Sequence, residues 1–308
     1  MKICFFGSMT FASVILEALH NTFGVDLVVT QPDRPVGRKK VLQGTPVKQK
    51  AVALGIETFQ PEHIKSDYQR VLAEPFDFII VAAYGQMIPE SILYHGTYQA
   101  MNVHASLLPK YRGGTPMHRA IMSGETFSGI SIMYMVKKMD AGDILNQQKV
   151  YIEKEDDVSS LEMKLAQVGA ETLIETMQKL EKQEVKPIPQ DETQVSYAYH
   201  IQPEERMINL HRSAKSCFNQ IRGLHPWPIA KLDVNGHVMK VFKADYQDEN
   251  LSQEVGEVVL VNKNGVYLQT KSGVLILKEV QLEGKKRMPI QAFMNGVGKE
   301  IFRINKKI

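Results

Sequence analysis

Cysteine is almost missing from this sequence, which has only Cys4 and Cys217, far apart and in no metal-binding spacing. That excludes a disulfide framework and a cysteine-based zinc site, and suits reduced, buried thiols in a cytosolic protein. No window approaches the roughly 18 uninterrupted apolar residues of a spanning helix, so a membrane protein is not expected. The opening Met-Lys-Ile-Cys-Phe-Phe-Gly meets a turn too soon to read as a signal peptide. No Gly-x-Gly-x-x-Gly follows the first strand, which argues against a dinucleotide site at that turn. Internal repeats and low-complexity tracts are also lacking.

What remains is a chain of 308 residues, 44% apolar and 23% charged, an ordinary globular composition. At roughly 150 residues per domain this length fits two domains. The net charge of +3 is unevenly placed: from Glu204 onward 17 Lys/Arg face 11 Asp/Glu, a net of +6, which leaves the first 203 residues at −3. A basic C-terminal third hints at a polyanionic partner, although a solvated lysine surface would read the same way.

Lys2 to Phe6 reads as a buried strand, and Phe11, Val14, Ile15, Ala18 and Leu19 follow a helical period behind the Gly7-Ser8-Met9-Thr10 turn. Strands at Val25 to Thr30, Ile56 to Phe59, Phe76 to Ala83 and Gln99 to Val103 alternate with helical stretches. The pattern is that of an α/β fold with a doubly wound, mostly parallel, Rossmann-like sheet. Ile130 to Met135 and Ile144 to Ile152 add two strands, and an amphipathic helix through Leu180 closes a first domain at residues 1–181. Pro187, Pro189 and Pro203 mark residues 182–206 as a linker. Residues 207–308 open with a helix that Gly223 should cap, then give short strands around Asn235-Gly236 and Asn264-Gly265, the signature of a small OB-like β-barrel.

Chemistry concentrates where a strand dissolves into a Pro/Gly-bounded loop, from Met101 to Pro116. Asn102 and His104 are two apart, so both side chains leave one face of the strand. An amide donor beside an imidazole suits an oxygen that gains negative charge in acyl transfer. The same pair also fits a turn-former next to a satisfied histidine. Asp140, in Asp-Ala-Gly-Asp between two strands, could reach that strand end as a proton acceptor, or be an ordinary turn residue.

Together these stretches match a known family. Asn-Val-His-Ala-Ser-Leu-Leu-Pro from Asn102 to Pro109, with Gly129-Ile-Ser-Ile-Met-Tyr-Met and Met139-Asp140-Ala-Gly142, resembles the active-site motifs of formyltransferases that use 10-formyltetrahydrofolate. Three more stretches resemble the members that formylate methionyl-tRNA: Thr30 to Lys40, Phe218 to Pro228 and Gly284 to Pro289. The resemblance implies a catalytic set of Asn102, His104 and Asp140, with no metal and no covalent intermediate. It places the co-substrate 10-formyltetrahydrofolate against Ser106, Leu107, Leu108 and Pro109, with the pterin reaching Tyr84, Gln86 and Ile88. Initiator methionyl-tRNA would be held by Arg34, Arg38, Lys39 and Lys40 in a long basic loop without an apolar face, and by Arg206, Lys285, Lys286 and Arg287. A cytoplasmic monomer is expected.

One departure is visible. Family members open with Gly-Thr-Pro-x-Phe, whereas this chain has Gly7-Ser8-Met9-Thr10-Phe11, and the missing Pro should loosen that turn. Rival readings keep the same three residues: a formyltransferase acting on glycinamide ribonucleotide or an amino-sugar nucleotide, or a formyltetrahydrofolate hydrolase. An RNA-binding module on a degenerate α/β domain is disfavoured by the intact Asn/His/Asp set.

Overall fold

Continuous apolar runs with no polar alternation belong in strands covered on both faces. The first, Ile3–Gly7, is buried at every position and forms β1 of the computed structural model, which describes residues 1–37, 40–249 and 253–308. Then come α1 (Thr10–Phe23), β2 (Leu27–Val29), β3 (Arg34–Val36), β4 (Val41–Gln43), α2 (Pro46–Ala53), β5 (Glu57–Phe59) and α3 (Gln69–Leu72). After these follow β6 (Phe78–Ala82), α4 (Glu90–Leu93), β7 (Met101–His104), α5 (Pro116–Met122), β8 (Phe127–Tyr134), β9 (Ile144–Tyr151) and α6 (Val158–Glu181).

Seven strands form one sheet in the order β5-β2-β1-β6-β7-β8-β9. The first five run parallel; β8 is antiparallel to β7, and β9 to β8. Strand order reverses beside β1, and in such sheets ligands bind beyond the carboxyl ends of the strands at that reversal. The basic loop, expected only to have no apolar face, contains a hairpin of its own, with Arg34 opposite Gln43 and Val36 opposite Val41. Its Val36, Val41 and Leu42 are exposed.

The Pro-less turn after β1 is held by other means. Ser8, 2% exposed, donates its hydroxyl to the Tyr84 carbonyl and accepts the Gln31 N–H, tying the ends of β1, β2 and β6. Met9 gives α1 no side-chain cap. Instead, Glu162 from α6 accepts the Phe11 N–H at 3.1 Å, a carboxylate at a helix start. Burial pushes the Glu162 carboxyl above its ordinary value of 4.5, the Phe11 N–H pulling the other way more weakly. A carboxyl raised in the folded chain contributes its stability below the unfolded value and loses it as the pH climbs through the folded one. Glu162→Gln, which keeps an acceptor without the charge, should therefore match or exceed the parent in thermal unfolding at pH 7, and lose that advantage below about pH 4.5. Glu162→Ala should cost about 1 kcal/mol at either pH.

The chain groups into two compact units: residues 1–116, 127–151 and 162–198 make the first, and 117–126, 152–161 and 199–308 the second. Residues 182–198, expected as linker, thus pack with the first unit. In the second, α7 (Ala214–Gly223) is capped by the Ser213 hydroxyl, which accepts the Ser216 N–H. Gly223 is its last helical residue and not its cap. The glycine is needed for close approach, since a Cβ there would lie 2.7 Å from the Met122 side chain.

The remaining elements are β10 (Ala230–Val234), β11 (His237–Gln247), β12 (Val258–Asn262), β13 (Gly265–Gln269), β14 (Val274–Leu282), β15 (Met288–Pro289), α8 (Ile290–Met294) and α9 (Gly298–Ile301). Asn235 and Gly236 both take positive φ, 53° and 82°, as the hairpin signal requires. The antiparallel sheet runs β10-β11-β14-β13-β12, with β15 beside β14. Among the described residues no ladder joins β10 to β12, so closure into a barrel is not by strand pairing. Both edges are covered: Ile208 donates to the Lys231 carbonyl beside β10, and residues 305–308 pair with Gly256 and Val258 beside β12. The core gathers Cys217, Phe218, Ile221, Met239, Leu268 and Leu277 on one face. No helix among the described residues is long and apolar enough to cross a membrane.

Candidate active site

β7 sits inside the first sheet, pairing Asn102 with Val81 on one side and Met133 on the other. Period-two geometry sends Asn102 and His104 to the same face. The Asn102 side chain is half-buried, and its carboxamide makes no hydrogen bond among the described residues. His104 is 6% exposed, and its Nε2 lies 3.0 Å from the Tyr111 carbonyl oxygen. A carbonyl only accepts, so Nε2 carries the proton there and Nδ1 is the uncommitted nitrogen. Nδ1 faces Asp140 Oδ2 at 3.8 Å.

Asp140 is brought there by the turn between β8 and β9. The structure brings Asp140 to His104, and Asn102 shares the His104 face of β7, all in the first unit. Asp140 Oδ2 also accepts the Gly113 N–H at 2.8 Å, so the loop after β7 holds the same oxygen that faces His104. Backbone strain flanks His104: Tyr111 and Asp140 take φ of 61° and 48°, left-handed values that cost a non-glycine residue on the order of 1 kcal/mol or more. Gly142 cannot be replaced silently, because a Cβ would stand 1.9 Å from the Tyr134 carbonyl oxygen.

The Ser106–Pro109 loop is pinned from beneath. Ser131 of β8 accepts the Leu108 N–H and donates to the Ser106 carbonyl, while Gln147 of β9 donates to the Leu108 carbonyl and to the Ser131 hydroxyl. Ser106 is itself 1% exposed and spends its hydroxyl on the Lys110 carbonyl. Leu108 packs on Met133 and Ile144, and the Leu107 side chain lies over Gly129. Tyr84 and Ile88 belong to the core, Tyr84 edge-on to Phe6. Their side chains face inward, so that loop presents Gln86, exposed Met87 and the Gly85 backbone. These three line a cavity of about 610 Å³ with Gln31, from the Thr30–Lys40 stretch, and with Glu62, His63 and Lys65, three residues that motif reading did not single out. Gln86 is oriented by the Ile64 N–H, the Glu62 carbonyl and Gln31.

The basic residues fare differently. Arg34 is exposed and pairs with Glu62 at 2.6 Å. Lys40 is exposed, and Arg38 and Lys39 lie outside the described residues. In the second unit, Lys285 and Lys286 point to solvent, whereas Arg206 donates to the Ile229 carbonyl. Arg287 is engaged by two nitrogens on Glu279 and stacks 4.2 Å over Phe242. A guanidinium already neutralised and stacked is less available to a phosphate than the two lysines beside it.

A Rossmann-like unit with this strand-end Asn/His/Asp set, followed by an antiparallel unit, is matched over its length by two family descriptions. Formyl transferase covers residues 1–177, and Formyl transferase, C-terminal domain covers 200–298, so the chain belongs to the formyl transferase family. It is 42% identical over 302 residues to the methionyl-tRNA formyltransferase of Macrococcus caseolyticus (strain JCSC5402), covering 97% of each chain. It is 45% identical over 304 residues to that of Latilactobacillus sakei subsp. sakei (strain 23K), covering 97% of this chain and 96% of the relative. Its place in the family is among the methionyl-tRNA formyltransferases. A solved N-formyltransferase from Helicobacter canadensis, in complex with folinic acid and dTDP-3-aminofucose, shares the fold with a TM-score of 0.69 at 17% identity, over 90% of this chain and 98% of that one.

Proposed function

We propose that the chain transfers the formyl group of 10-formyltetrahydrofolate to the free α-amine of methionyl-initiator-tRNA. The observation that carries the site assignment is the unpartnered Asn102 carboxamide on the strand face it shares with His104, whose free Nδ1 looks at Asp140. 10-Formyltetrahydrofolate supplies a formyl carbon open to attack by an amine. The Asn102 carboxamide meets the oxygen that becomes negative, where a donor held in place beforehand lowers the barrier most, and His104 joins it once its Nδ1 has taken a proton. Asp140 takes the amine proton, directly or through His104 Nδ1, and passes it toward the leaving nitrogen. No side-chain nucleophile is required.

A folate fits the first unit on two grounds. The cavity at Gln31, Gly85, Gln86 and Met87 has the size of a small-molecule site and mixes apolar wall with a few oriented polar groups. The pinned Ser106–Pro109 loop forms a rigid wall near the reacting residues. The Helicobacter canadensis protein of the same fold was solved with folinic acid. We assign tRNA contacts to Arg34, Arg38, Lys39 and Lys40, and to Lys285 and Lys286 before Arg206 and Arg287. The first 181 residues would carry the chemistry, and residues 207–308 would hold the tRNA, in the cytoplasm.

The assay is formyl-methionine release from charged initiator tRNA incubated with 10-formyltetrahydrofolate. Turnover on glycinamide ribonucleotide in place of the tRNA would overturn the acceptor assignment. Arg38→Ala should weaken tRNA use and reduce the slope of affinity against salt by about one ion, leaving folate binding alone. Equal loss of folate binding would remove the loop from tRNA recognition.

A further inference from the structure

Of the polar side chains behind the candidate site, Gln190 is the most completely committed. Its Nε2 donates to two carbonyls of the Asp140 turn, those of Asp140 and Gly142, both at 2.8 Å. Its Oε1 accepts from Arg112 Nε at 3.0 Å and Nη2 at 2.8 Å. A guanidinium can only donate and a carbonyl only accept, so the amide cannot be reversed without losing all four contacts. Arg112 is completely buried, an uncommon state for a charge, and its Nη2 also reaches Glu192 at 2.9 Å. Glu192 in turn accepts from Lys138, two residues before Asp140, at 2.6 Å. Arg112 is anchored by its own backbone, which exchanges hydrogen bonds with Ser196 and Ala198.

This assembly joins both loops that make the site. Arg112 lies between Tyr111, whose carbonyl fixes His104, and Gly113, whose N–H fixes Asp140. Gln190 carries the position of that loop across to the strained Asp140 backbone. A left-handed Asp carries backbone strain, and two carbonyls drawn to one amide give the turn a fixed orientation. Proton transfer depends steeply on such placement, a displacement of about 1 Å costing on the order of 100-fold.

We propose that Gln190, locked by Arg112, is a positioning residue that sets the Asp140 carboxylate against His104. The proposal rests on Asp140 taking part in formyl transfer. The test is steady-state kinetics of the full chain for Gln190→Leu, Gln190→Glu, Asp140→Asn and the Gln190→Leu/Asp140→Asn pair. Gln190→Glu keeps an acceptor for Arg112 but turns oxygen toward the two carbonyls. Both Gln190 variants should lose roughly 10- to 100-fold in kcat, with KM for folate and tRNA within about twofold of the parent. The double variant should be no slower than Asp140→Asn alone, because residues acting through one group are not additive. Multiplicative losses, parental kcat in the Gln190 variants, or losses carried by KM would overturn the proposal. If Gln190→Leu does not fold, Gln190→Asn replaces it: an intermediate kcat loss supports positioning, and parental kcat refutes it. Parental turnover in Asp140→Asn would instead remove the catalytic reading itself.

Discussion

Asp140→Asn should lower kcat by roughly 100- to 10,000-fold, the usual range for removing a general base, while leaving the fold intact. The substitution is unusually clean here. Asparagine tolerates left-handed backbone better than other non-glycine residues, so the φ of 48° is no obstacle. Its side-chain oxygen can still accept the Gly113 N–H. What disappears is the charge facing His104 Nδ1 and the capacity to take a proton. Thermal unfolding within a few degrees of the parent, together with unchanged tRNA affinity, would assign the loss to chemistry. Retained turnover would take Asp140 out of the mechanism. His104→Ala should be as damaging to kcat, and more so to stability, because it empties a 6% exposed position and removes the Nε2 hydrogen bond to the Tyr111 carbonyl.

Gly142→Ala should be the most disruptive single methyl in the first unit. The new Cβ would sit 1.9 Å from the Tyr134 carbonyl oxygen and 2.8 Å from its carbon. Both are backbone atoms of β8, and the Tyr134 N–H is itself bound to the Asp143 carbonyl, so neither side can step aside alone. The turn has to move as a body, taking Asp140 and the carbonyls held by Gln190 with it. About 3 kcal/mol or more of stability should be lost, at or above the upper end of what single substitutions usually cost. A fall in Tm accompanied by loss of turnover checks it. Parental values for both would mean that the turn accommodates the methyl.

Much of this was readable from the chain. The strands Ile3–Gly7 and Phe78–Ala82 follow from five-residue runs buried at every position, whereas Leu27–Val29 and Glu57–Phe59 are only three residues each. The Asn102–His104 strand end and the Asp140 turn are short, local patterns, and the family resemblance brought them together. The hairpin of Arg34–Val36 with Val41–Gln43 was hidden because three-residue strands, one holding Pro35, carry no alternation to detect. Tyr84 and Ser106 were expected to face folate and instead turn inward, a choice decided by packing on Phe6 and by the Lys110 carbonyl. Gln190 was invisible for a different reason. It stands next to Pro189 in a stretch without periodicity, and nothing in one sequence reveals that a polar side chain there closes a loop fifty residues earlier.

Ile188 exchanges two backbone hydrogen bonds with Ile144, and Ala198 two with Arg112 and Thr115. Ile188 and Ala198 both lie beyond 177, where the first family match ends. A fragment cut at that point, or at the end of α6, would contain every candidate catalytic residue and still lack the strap that braces them. Dissection of this protein, or grafting of its first half onto another acceptor-binding module, should therefore carry the chain through Ala198. The proline-marked stretch up to that residue is part of the machine and not a tether.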